Sequence, residues 1–145
     1  MGSMATQAFD GDEGRCLRPV EGFPRRGEGV VLLSLDIDGT MEVGDPPGRI
    51  PLEWILRAKA LGYVVGSASD RTRSDQQRLW ERHGVELDFI DHKHRLDEVR
   101  ARFPDTTRWV HIGDGEADAL YARKHGFEFY FVDELPEEGT PGWIF

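Results

Sequence analysis

From residue 30 onward the chain alternates between short apolar runs and longer stretches in which apolar residues recur every three or four positions. Val30-Val31-Leu32-Leu33-Ser34-Leu35 is a nearly unbroken apolar run, the pattern of a strand buried on both faces. Pro46-Pro47-Gly48 is a turn, predicted as the tip of a short hairpin from Met41 to Ile50. Pro51 suits a first helical turn; Leu52, Ile55, Leu56 and Lys59 then share one face, and Gly62 ends the helix. Tyr63 to Ala68 predicts a second strand. Ser74 and Gln77 have capping-box spacing, opening a helix that Gly84 closes. Leu87 to Ile90 reads as a short third strand, and Leu96, Val99 and Phe103 mark a helix stopped by Pro104. Trp109 to Ile112, a helix from Ala117 to Lys124 ended by Gly126, and Phe127 to Val132 complete the pattern. Strands separated by helices, with crossovers long enough for parallel pairing, predict an α/β fold: a three-layer sandwich with a five-stranded parallel Rossmann-like sheet. Residues 1–28 are rich in Gly, Asp, Glu and Arg and read as a flexible arm, leaving 29–145 as one core domain.

Composition narrows the function classes. Apolar residues are 39% of the 145 and charged residues 31%, a globular balance. No apolar run approaches the roughly 20 residues of a membrane-spanning helix. The first residues lack the basic segment and apolar core of a signal peptide. Cys16 is the single cysteine, so an intrachain disulfide and a cysteine zinc site are excluded, which fits a reducing cytoplasm. The formal charge of −9 argues against tracking phosphates along a nucleic-acid groove and suits collection of a divalent cation. Asp10 to Gly14 has the look of a calcium loop, but Arg15 stands where the loop needs glycine, so it reads as a solvated acidic segment.

In parallel sheets the chemistry lies beyond the carboxyl ends of the strands. Asp36-Ile37-Asp38-Gly39-Thr40 follows the first strand, and Ser69-Asp70-Arg71 the second. Lys93 lies beyond the third, and Gly113-Asp114-Gly115-Glu116-Ala117-Asp118 follows the fourth. Carboxylates brought that close cannot all ionise without a cation, and oxygen-only ligands suit Mg2+. A hydroxyl, an ammonium and free N–H groups at turns suit phosphate oxygens. One carboxylate can act as nucleophile and another can pass a proton. The set reads as phosphoryl transfer.

These motifs, in this order over about residues 30–132, resemble the haloacid dehalogenase-like (HAD) hydrolase superfamily. D-x-D-G-T is Asp36 to Thr40, the motif-two serine is Ser69, the motif-three lysine is Lys93, and G-D-x-x-x-D is Gly113 to Asp118. The resemblance implies that Asp36 attacks phosphorus and that Asp38 serves as general acid and base, with a pKa raised above the roughly 3.9 of free aspartate. It implies Mg2+ held by Asp36 and Asp114, by the backbone carbonyl of Asp38, and by Asp118 directly, through water or by orienting Lys93. Ser69 and Lys93 would hold the phosphoryl group, with backbone N–H groups at Asp38, Gly39 and Asp70 adding to the cradle. An aspartate at position 38 implies phosphatase or phosphotransferase chemistry. The gaps of 29 residues from Thr40 to Ser69 and 24 from Ser69 to Lys93 are too short for a cap domain, which implies an open site and a bulky phosphorylated substrate, or a homo-oligomer that covers it. The flap over 41–50, Arg71 and Arg73 are the nearest candidates for substrate contact.

Other readings compete. Gly113-x-Gly115 has the start of a dinucleotide fingerprint, but Asp118 replaces its third glycine and would repel pyrophosphate. A phosphoacceptor receiver domain shares the residue types but places an acidic pair after strand one and the acceptor after strand three. A non-catalytic scaffold of the same fold is the third alternative. His92 and His94 read as exposed loop residues, and His111 as a packed or hydrogen-bonded core residue. Trp54, Trp80 and Trp109 read as packing residues; Trp143 and Phe145 as a tail that packs on the sheet edge or meets a partner.

Overall fold

The computed structural model describes residues 29–135. The arm over 1–28, its acidic segment, Cys16, Trp143 and Phe145 lie outside the described residues. The elements are β1 (Val31–Leu35), α1 (Leu52–Ala60), β2 (Val64–Ser69), α2 (Arg73–Arg82), β3 (Phe89–His92), α3 (Leu96–Arg102), β4 (Arg108–Gly113), α4 (Glu116–Lys124) and β5 (Glu128–Phe131). Single 3-10 turns cover Lys93–Arg95 and Val132–Glu134. The five strands pair in parallel in the order β3-β2-β1-β4-β5. The predicted α/β sandwich is therefore the observed fold. No helix among the described residues is long and apolar enough to cross a membrane.

Strand alternation divides the interior in two. Val31, Leu33, Leu35, Val65, Val110 and Ile112 pack with Trp54, Ile55 and Ala58 of α1 and Leu79 and Trp80 of α2. Leu32, Ala68 and Phe89 point the other way, toward Leu96 and Val99 of α3, Ala122 of α4, and Phe127. Trp54 and Trp80 are wholly buried, while Trp109 is a flank residue, 5.8 Å from the Phe127 ring with the Arg100 guanidinium 4.9 Å above it. Cβ built on Gly66 would lie 2.4 Å from the Phe89 ring, so the bare backbone of β2 is what admits that ring.

Four local expectations are corrected. The segment from Met41 to Ile50 is no hairpin: it has a single bridge, Met41 to Ile50, in the parallel sense. Pro46 and Pro47 have no N–H for a ladder. The loop folds onto itself instead, with Gly39 N donating to Pro46 O (2.7 Å) and Ile50 N to Thr40 O (3.0 Å). Glu42 accepts from Leu52 N at 2.8 Å, tying this flap to the start of α1, and Arg49 donates to the carbonyls of Val132 and Leu135. On α1 the buried stripe is Trp54, Ile55 and Ala58, which turns Leu56 outward at 53% exposure. On α2 the cap is Thr72, whose Oγ1 accepts from Asp75 N at 3.1 Å, so the helix starts before Ser74. The third strand also begins two residues later than predicted, at Phe89.

Polar groups hold the outer strand in place. Asp91 of β3 is buried and accepts from Arg73 of α2 (3.0 Å) and Arg102 of α3 (3.0 Å), helices on opposite faces of the sheet. Gln76 of α2, also buried, donates to Asp91 O and to Arg71 O, both at 2.9 Å, and accepts from Ser67 Oγ at 2.6 Å. It thereby ties the loop after Ser69 to the strand that leads into Lys93.

Candidate functional site

β1 lies between β2 and β4, so the chain leaves it to one side through α1 and returns on the other side through α3. This reversal opens a crevice beyond the carboxyl ends of β1 and β4. Asp36 sits there: its N–H continues the sheet pairing to Ile112 O at 3.0 Å, and its Oδ1 accepts from Ile37 N at 2.8 Å. The backbone then turns tightly, with Thr40 N and Met41 N donating to Ile37 O at 3.1 and 2.8 Å. Gly39 makes the turn at φ 76°, and a Cβ there would stand 2.0 Å from Asp114 Oδ2. Glycine is needed twice over, for the left-handed backbone and for the space that the second aspartate occupies.

The Lys93 ammonium is the hub. Its side chain is 6% exposed and its Nζ lies 3.3 Å from Asp36 Oδ2, 3.1 Å from Asp118 Oδ1 and 3.6 Å from Asp70 Oδ2. Carboxylate oxygens of Asp36, Asp114 and Asp118 lie within 4.8 Å of one another. Burial, reinforced by repulsion from Asp118, pushes the Asp36 carboxyl up to about 8, although Lys93 and the Ile37 N–H pull the other way. Burial works against the Lys93 ammonium too, but attraction to Asp36 and Asp118 outweighs it and raises its pKa. For Asp118 burial is again the largest influence; hydrogen bonds and charge from His111 and Lys93 overcome it and hold the carboxyl below its ordinary value. One ammonium thus serves several carboxylates, and one of them is left poorly ionised. A hard divalent cation with oxygen ligands would supply the missing charge, and the three oxygens of Asp36, Asp114 and Asp118 fit it.

Asp38 is placed differently. Its carboxylate leans away from this cluster toward Arg71, whose Nη2 and Nε donate at 2.7 and 3.1 Å, and accepts from Asp45 N at 2.8 Å. The Arg71 hydrogen bonds, helped by the Asp45 N–H, hold its pKa below the ordinary carboxylate value against a smaller opposing effect of burial. This reverses the raised pKa expected of a proton donor. The reason is a bidentate guanidinium contact across 33 residues, which adjacent residues do not reveal.

The remaining residues fall on the same rim. Ser69 is buried at the end of β2, its Oγ accepting from Arg71 N at 3.1 Å. Asp70 has an 82% exposed side chain at the mouth. The structure brings Asp36, Asp70, Asp114, Asp118 and Lys93 together and sets Asp38 and Arg71 beside them. Sequence reasoning missed that His111 is bonded to the site. Its Nε2 lies 2.8 Å from Asp118 Oδ1 and its Nδ1 2.8 Å from Ser34 Oγ. The available signal was a serine and a histidine in otherwise apolar strands, where buried polar groups need partners. No family model, no curated protein and no solved structure matches this chain.

Proposed function

We propose that the chain is a Mg2+-dependent phosphomonoester hydrolase of the HAD type, working through an aspartyl-phosphate on Asp36. The observation that carries this reading is the buried Lys93 ammonium between Asp36 (3.3 Å) and Asp118 (3.1 Å), at the mouth where four strand ends meet. Asp36, Asp114 and Asp118 would hold the Mg2+. When bound, the ion supplies positive charge against the phosphoryl oxygens and lets the neighbouring carboxylates ionise together.

Lys93 and Ser69 orient the phosphoryl group so that Asp36 stands in line with the ester oxygen. An oxygen of Asp36 forms a bond to phosphorus as the bond to the ester oxygen breaks. The departing oxygen takes the electron pair of that bond and a proton from Asp38, leaving as an alcohol. Arg71 must release Asp38 for this, and the arriving phosphate dianion offers Arg71 a competing partner. Water then attacks phosphorus, gives its proton to the Asp38 carboxylate, and displaces Asp36 with inorganic phosphate as product. The reading takes a bulky phosphate ester as substrate: among the described residues the span from Thr40 to Lys93 holds only the flap, α1, β2, α2 and β3, with no inserted cap domain.

The test is turnover of a generic phosphomonoester by wild type, Asp36→Asn and Asp38→Asn, each with and without Mg2+. Multiple turnover that requires Mg2+ and both carboxylates supports the hydrolase. Uptake of a single phosphoryl group identifies a signalling acceptor, and no reaction at all a scaffold; either outcome ends the proposal.

A further inference from the structure

We infer that His111 is a positioning residue: it fixes the Asp118 carboxylate, and through it the Lys93 ammonium, a role that rests on the hydrolase reading above. Ser34 and His111 are register partners on β1 and β4, and both are wholly buried. Alternation turns Ser34, like Asp36, toward α3 and α4. A continuous polar string results: Ser34 Oγ to His111 Nδ1 (2.8 Å), His111 Nε2 to Asp118 Oδ1 (2.8 Å), Asp118 Oδ1 to Lys93 Nζ (3.1 Å), Lys93 Nζ to Asp36 Oδ2 (3.3 Å). It begins on β1 at Ser34 and ends at Asp36, one residue past the strand.

The donor pattern is fixed by chemistry. An ionised carboxylate only accepts, so Nε2 carries a hydrogen, while the Ser34 hydroxyl can donate or accept and so matches Nδ1. Asp118 Oδ2 accepts from Gly115 N at 3.3 Å. The carboxyl group is wedged against Gly113, where a Cβ would stand 2.2 Å from Asp118 Cγ. Lys93 is a long chain with many rotamers, whereas the imidazole is a plate set on a central strand. His111 is therefore the rigid end of the string, and Asp118 takes its orientation from it.

A satisfied core histidine would show the same burial, so the test separates the two contacts. In His111→Gln the amide nitrogen falls near the place of Nε2 and still donates to Asp118. In His111→Asn it falls near Nδ1, keeping Ser34 and losing Asp118. Mg2+ binding is measured by calorimetry on the full chain without substrate, alongside kcat, KM and the melting temperature. The expected result is Mg2+ affinity and kcat about 10- to 100-fold lower in His111→Asn, KM changed far less, and His111→Gln within about threefold of wild type. Equal behaviour of the two variants, whether both intact or both impaired, overturns the inference. If either fails to fold, nitrogen NMR of wild type decides. The His111 Nε2–H resonance is expected to move as Mg2+ is added, and a stationary one overturns the role. A wild type that binds Mg2+ with the Asn/Gln split but hydrolyses no phosphomonoester sinks the hydrolase reading and leaves the positioning role standing. Hydrolysis without the split does the reverse.

Discussion

The two faces of one sheet are used for different purposes. The face under α1 and α2 takes Val31, Leu33, Leu35 and Ile37 from β1 and its extension, and packs them against Trp54, Ile55, Leu79 and Trp80. The face under α3 and α4 takes Leu32, but then Ser34 and Asp36, and its apolar cluster is correspondingly smaller. Successive residues of a single strand therefore serve stability on one side and charge placement on the other. A buried aliphatic pair asks only for matching volume, whereas a buried carboxylate asks for specific donors at specific distances. The second face accordingly gives up cohesion to hold Asp36, Lys93, His111 and Asp118 in one fixed arrangement.

Substitutions on each face can break that contrast. Asp36→Asn should lower turnover by a factor on the order of 10⁴, about 5.5 kcal/mol of barrier, in steady-state assays. It should leave the melting temperature equal or higher, because it removes a carboxyl whose ionisation burial and Asp118 oppose. A clear drop in melting temperature would show that the charged face carries stability after all. Trp54→Ala, on the opposite face, should cost about 3–5 kcal/mol in denaturant unfolding while kcat of the folded fraction stays near wild type.

Mg2+ should bridge the two properties. At 100 times its dissociation constant it should add about 2.7 kcal/mol of stability, read as a melting shift that a chelator reverses and Asp114→Asn abolishes. The smallest effect is expected at Thr72→Ala, about 1 kcal/mol from the lost cap of α2, with turnover unaffected.

The same contrast explains what could be read from the chain. The α1/α2 face was legible because periodicity reports burial directly: the run from Val30 to Leu35 predicts β1, and Gly62 and Gly84 mark the ends of its two helices, each with positive φ. Asp36, Lys93, Asp114 and Asp118 were legible as strand-end residues, since sheet topology brings such positions together whatever their distance in sequence. The Asp38–Arg71 pair and the Ser34–His111 contact were not: the first joins residues 33 positions apart through side-chain geometry, and the second, 77 apart, depends on the exact register of β1 against β4. Leu56 and Ser74 misled for a smaller reason. Helix phase and start are set by one large residue, Trp54, and one hydroxyl, Thr72, and neighbouring residues offered equally good local patterns.

Asp91 bears on how copies of this chain can meet. It lies on an outermost strand of four residues and draws in guanidinium groups from the layers above and below, each side chain about half exposed to solvent (54% for Arg73, 50% for Arg102). A second molecule seeking to extend the sheet through β3 would bring its backbone against two cations already committed to a carboxylate, a poor template for strand addition. Self-association of this protein should therefore proceed through its helices or its other border, and leave β3 uncovered.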